Sequence, residues 1–128
     1  MKRIFFFIFM LICISKADAQ ILKELKSSTP ERRALLFSKE IKKHLELNEK
    51  QFKQVLEINQ MHAFGIIPVI ESKKNKIAKL KKIKALDRQR DEKLKYIFTQ
   101  EQQLVYKNKK RTFIKTVRDS LNTSPGHI

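Results

Sequence analysis

The chain has 128 residues and a formal charge of +16, with 33% charged residues but only two glycines, three prolines and one cysteine. This length sets one domain, and little Gly and Pro beside abundant Lys, Glu, Leu, Ile and Gln is helix-forming composition. A single cysteine excludes an internal disulfide scaffold. The absence of HExxH, GxSxG, P-loop or paired-carboxylate patterns points away from an enzyme and calls for no cofactor.

Lys2 and Arg3 precede the uncharged apolar run from Ile4 to Ile14, and Ala17-Asp18-Ala19 follows as a small–x–small cleavage pattern. Residues 1–19 are therefore expected to be a cleaved signal peptide and the mature chain to be periplasmic. The run is shorter than the ~20 apolar residues of a bilayer crossing. Bulky Ile12 before Cys13 speaks against a lipoprotein signal. Cleavage removes three cations (Lys2, Arg3, Lys16) and one anion (Asp18), leaving +14, and takes Cys13 with it. A small exported domain without disulfides is expected to gain stability by oligomerising, most simply as a homodimer. Its charge attracts anions, and export turns the expectation from nucleic acid to acidic or unfolded polypeptides and anionic membrane surfaces.

Residues 20–28 are expected to be a flexible N-terminal segment. Thr29-Pro30-Glu31 reads as a helix start, with proline in the first turn and an acid at the positive end of the dipole. Ala34, Phe37, Ile41 and Leu45 then make one apolar stripe. Asn48 and Gln51 form a capping box that opens a second helix carrying Phe52, Val55, Leu56 and Ile66. Pro68 lacks a backbone donor and clashes with the preceding turn, so a break or sharp kink is predicted between Phe64 and Val69. A long third helix is predicted from Val69 to Tyr96. Its residues Ile77, Leu80, Ile83 and Leu86 recur every three positions and so slide around the helix. Thr99 and Gln102 form a second capping box. The last helix carries Phe98, Val105, Tyr106, Phe113 and Val117 on one face and frays near Leu121, leaving 122–128 as a disordered tail. The expected fold is all-α: four helical segments in an elongated hairpin-like protomer with a long kinked central helix.

Two of these segments share a pattern. Leu47-Asn48-Glu49-Lys50-Gln51 and Phe98-Thr99-Gln100-Glu101-Gln102 each read apolar, cap, x, x, Gln. Such boxes are generic helix starts. Paired about fifty residues apart in an exported, basic, helical chain, they resemble the LTxxQ motifs of the Spy/CpxP family of periplasmic proteins over roughly residues 29–121. Phe98 stands where the family has leucine, and Asn48 where it has threonine. The resemblance implies a thin, curved antiparallel dimer and an ATP-independent chaperone that holds unfolded clients during envelope stress. Its alternative implication is an envelope-stress or heavy-metal regulator acting on a sensor kinase or a sigma-factor pathway. Leu47, Asn48, Gln51, Phe98, Thr99 and Gln102 carry over as structural elements.

The client-binding candidates are Lys73, Lys76, Lys79, Lys84 and Arg88, with Phe64, Ile77 and Leu80 as apolar partners. Cations speed encounter with acidic chains, and exposed apolar side chains slow release. The alternative is a solvated, lysine-rich helix surface. Glu40 and His44, one helical turn apart, and His62 are the weak metal candidates, since a site needs several converging ligands. Asp87, Asp91 and Glu92 read as helix-surface ion pairs.

Overall fold

The structure, a computed structural model, describes residues 21–123. The signal peptide expected at 1–19 and all of the expected tail beyond Thr123 lie outside the described residues. Four long helices, α1 (Pro30–Leu45), α2 (Glu49–Glu71), α3 (Lys76–Lys95) and α4 (Gln100–Thr123), follow a helical segment over 21–27. No strand occurs among the described residues.

Local chemistry sets the helix ends. The Thr29 hydroxyl accepts from Arg32 N at 3.3 Å and opens α1, with Pro30 at its first position. Glu46, at φ 53° and ψ 50°, closes α1 in the left-handed conformation and donates its N–H to Lys42 O. That reversal folds Leu47 back into the core, where its own N–H reaches Lys42 O at 3.2 Å.

α1 packs against α2 and α4, and α2 against α3. The main core draws on all four helices: Phe37, Ile41 and Leu45 of α1, Val55 of α2, Leu94 of α3, and Tyr106, Phe113 and Val117 of α4. Phe113 is fully buried and stands 6.4 Å from the Tyr106 ring, which in turn lies 5.4 Å from Phe98. A second cluster of Ile66, Ile70, Leu80 and Ile83 holds the distal part of the α2–α3 hairpin.

Four expectations are corrected. The helix does not break at Pro68: α2 runs unbroken to Glu71. Proline removes the donor to the Phe64 carbonyl, but Phe64 and Pro68 both lie on the solvent side of the helix, while buried Ile66 and Ile70 hold it against its neighbours. The long kinked helix from Val69 is instead two helices parted at 72–75. Ser72 Oγ donates to Val69 O at 2.8 Å, and Asn75 Oδ1 accepts from Ala78 N at 2.9 Å to start α3. Nor is 20–28 loose over its described part. Leu22 is 7% exposed in the second cluster, Ser28 accepts from Arg33 Nη1, and Arg33 also donates to Leu25 O at 2.9 Å. At the far end, helix α4 continues past Leu121 through Asn122 and Thr123, which were expected in the tail.

Candidate functional site

The two capping boxes meet. In the first, Asn48 Oδ1 accepts from Gln51 N at 2.8 Å and Gln51 Oε1 accepts from Asn48 N at 3.1 Å. In the second, Thr99 Oγ1 accepts from Gln102 N at 3.2 Å and Gln102 Oε1 accepts from Thr99 N at 2.9 Å. Each glutamine then spends its amide N–H groups on the other box. Gln51 Nε2 donates to Gln102 Oε1 at 2.9 Å and to Ile97 O at 3.1 Å. Gln102 Nε2 donates to Leu45 O at 3.1 Å and lies 3.4 Å from Gln51 Oε1. Leu45 O is a terminal carbonyl of α1, which its own helix leaves without a donor. The start of α2 is thereby tied to the segment that leads into α4, and the start of α4 to the end of α1, which leads into α2. Leu47 and Phe98, the apolar residues of the motifs, are both buried in the main core beneath this clasp.

One turn inside the clasp sits an ionic cluster that the sequence reading did not find. Arg90 is 8% exposed, with its guanidinium carbon 4.9 Å over the Phe37 ring. Arg90 Nε donates to Asp91 Oδ1 at 3.2 Å, and its Nη1 lies 3.8 Å from Asp87 Oδ1. Asp91 also accepts from the Tyr106 hydroxyl at 2.7 Å and from Lys110. Burial alone raises the Asp91 carboxyl, but the Arg90 charge and the hydrogen bonds from Lys110 and Tyr106 outweigh it and hold the group below the usual carboxylate range. Burial works against the charge on Arg90, and the Asp87 and Asp91 carboxylates beside it oppose that effect and keep the cation charged. The Tyr106 phenol is pushed far up by burial and stays protonated, as a donor to Asp91 must be.

Asp87 and Asp91 are therefore not ordinary surface pairs, which corrects the sequence reading. The signal was present: positions 80, 83, 87, 90 and 94 recur at spacings of three and four. That line faces the core, and it passes through two charged residues instead of following Leu86. The sliding stripe arises because Ile77 lies off the line and is 60% exposed.

The client-binding candidates separate into groups. Leu80 is buried in the second cluster, so it is removed from any exposed surface. Lys79 Nζ donates to Ile70 O at 2.8 Å and caps the end of α2. Lys73, Lys76, Lys84 and Arg88 are exposed. Exposed Ile77, Lys81, Lys84 and Arg88 succeed one another at steps of four, three and four, so they share one face of α3. Phe64, 46% exposed, lies on α2 three residues after exposed Met61, on the side turned away from buried Val55, Asn59 and Ala63.

The metal candidates do not converge. His44 Nε2 lies 3.3 Å from Glu40 Oε2, and its ring stacks 5.0 Å from that of Phe113. His62 Nε2 is instead bonded to Asp87 Oδ1 at 2.7 Å, between α2 and α3. Among the described residues no group of three or more His, Cys, Asp or Glu is placed to hold a metal ion. No helix among them is long and apolar enough to cross a membrane.

With this geometry in hand, comparison with protein-family models, curated proteins and solved structures finds no match to the chain.

Proposed function

We propose that this protein is a non-enzymatic periplasmic holdase of the Spy/CpxP kind, which captures unfolded or acidic polypeptides on the cationic face of α3. The observation that carries the reading is the exposed row of Ile77, Lys81, Lys84 and Arg88, flanked by exposed Lys73 and Lys76. Ile77 offers apolar contact where the surrounding cations steer acidic chains inward. The paired capping boxes and the export signal support the same family reading. The curved antiparallel dimer belongs to this proposal, and exposed Met61 and Phe64 on α2 supply an apolar patch for it.

The test is light scattering by an aggregating acidic client, with and without the mature protein. Suppression is expected at low salt, weakening as the Debye length falls from about 10 Å at 0.1 M to about 3 Å at 1 M. The combined variant Lys81→Gln, Lys84→Gln, Arg88→Gln should slow capture in stopped flow while retaining helicity. Absence of suppression at every ratio sinks the holdase reading. Unimpaired capture by the triple variant moves the binding surface off α3. Sedimentation equilibrium checks the dimer, and a monomer at working concentrations removes it.

A further inference from the structure

The four helices form a ring with one open side. α1 packs against α2 and α4, and α2 against α3, but α3 and α4 do not close on each other. Toward the clasp, Tyr106 and Lys110 of α4 bridge the opening to Asp91 of α3. Farther along, the helical segment 21–27 spans it. Leu22 sits among Ile66, Ile70, Leu80 and Ile83 of the α2–α3 hairpin, while Glu24 Oε2 meets Arg118 Nε of α4 at 2.7 Å. Behind the segment lies a cleft of about 290 Å³, with Asn59, Ile66, Ile83 and Val117 on its walls and Ile21 and Leu25 of the segment closing it.

The segment has little to hold it by itself. The helix of 21–27 is shorter than the roughly 12–15 residues an isolated helix needs to persist. Its order therefore comes from docking, through buried Leu22, the Glu24–Arg118 pair and the Arg33 bonds to Leu25 O and Ser28 O at 2.9 and 2.7 Å. The docking is also imperfect, because Glu24 Oε1 is buried without a partner, and water serves such an oxygen once it is released. Few contacts and an unserved acceptor place the segment at the weak end of local stability.

We propose that the 21–27 segment is a displaceable strap over a second client groove, and that it gives way to a stretch of unfolded chain of its own chemistry. The strap is the occupant of the groove and so defines that chemistry. Its aliphatic side chains stand three or four residues apart, as Ile21, Leu22 and Leu25 do, with an acid beside them to meet Arg118. Release uncovers the apolar wall of Ile66, Ile83 and Val117, which retains such a stretch where the cationic face of α3 only steers it. The identity of the incoming chain rests on the holdase reading, whereas the strap itself does not.

Hydrogen exchange read by mass spectrometry on the whole mature chain tests the strap, first alone and then with reduced, carboxymethylated α-lactalbumin, an acidic protein that stays unfolded. Alone, the amides of 21–27 should exchange at least about tenfold faster than those of 66–70 and 114–117. With the unfolded protein bound, 21–27 should exchange faster still, and 66–70 and 114–117 more slowly. In a second arm, Leu22→Asp should let N-phenyl-1-naphthylamine, an uncharged apolar dye, bind saturably at one equivalent per chain. Ile83→Ala, in the core beneath, should lower the melting temperature several-fold more than Leu22→Asp does. Protection of 21–27 equal to that of the core, or Leu22→Asp melting as early as Ile83→Ala, makes the segment an integral helix and overturns the strap. Absence of dye binding in Leu22→Asp overturns the groove. Client binding that leaves the exchange of 21–27 unchanged overturns the displacement, while the holdase reading stands. Failure of the unfolded protein to bind sinks the holdase reading and the client as occupant, and the free chain's exchange and the dye then decide the strap by themselves. Protection of 21–27 that rises with protein concentration makes a second copy's segment the occupant and overturns the client assignment.

Discussion

Gln51 and Gln102, 51 residues apart in sequence, join their side-chain amides at 2.9 Å and thereby couple two helix starts into one bundle end. Each serves as its own helix's capping acceptor and as a donor to the opposite connection. Gln51→Ala and Gln102→Ala should each destabilise by about 1–2 kcal/mol, through a lost cap bond and lost tertiary bonds. The double variant should cost less than the sum, with a coupling of about 0.5–1.5 kcal/mol. Urea denaturation of the four proteins measures the cycle, and strict additivity would show that the amides do not depend on one another.

Asp91→Asn removes the carboxylate that pairs with buried Arg90 and accepts from Lys110 and Tyr106. Because Asp91 is held below its ordinary value of about 3.9, its contribution is fully present above that pH. It is lost as pH falls through the lowered folded value. The substitution should cost about 2 kcal/mol at pH 7, discounted for partial exposure and for Asp87 remaining beside Arg90. The gap between the two proteins should narrow below pH 4, as followed by thermal melts across a pH series. A pH-independent difference would mean that packing, not charge, is responsible.

Gly65 and Pro68 lie exposed within a continuous helix, and a Cβ at Gly65 meets nothing within 4 Å. Gly65→Ala should therefore stabilise by about 0.5–1 kcal/mol. Pro68→Ala should stabilise by about 1 kcal/mol, below the ~3 of a mid-helix proline because position 68 sits in the last turn. Differential scanning calorimetry should show both melting temperatures rising. A decrease for Pro68→Ala would indicate that the proline fixes a functional or packing geometry of its own.

Glu46 occupies a left-handed conformation at φ 53° that favours glycine. Glu46→Gly should raise stability by about 1 kcal/mol, relieving the strain between Cβ and the carbonyl without touching the buried Leu47 beside it. Chemical denaturation with an unchanged m-value reads this directly, and a loss of stability would assign a role to the Glu46 side chain.

What the sequence determined by itself was local. Thr29, Asn48 and Thr99 announce their helix starts because capping is a bond between residues three apart, and the apolar stripe of Ala34, Phe37, Ile41 and Leu45 is buried as its period requires. The charges of α3 were legible as a surface, though not the difference between exposed Lys84 and the tied Lys79. Only the tertiary structure decided the rest. Pro68 leaves α2 intact because its turn faces water, Leu22 docks because the α2–α3 hairpin offers it a cluster, and Arg90 is buried because Asp87, Asp91 and Phe37 come to it from the same helix and from α1. The meeting of Gln51 with Gln102 and the cleft beneath Asn59 likewise join residues distant along the chain. Hydrophobic period and capping chemistry reach one or two helical turns along the chain, and nothing in either specifies which distant side chain will arrive opposite.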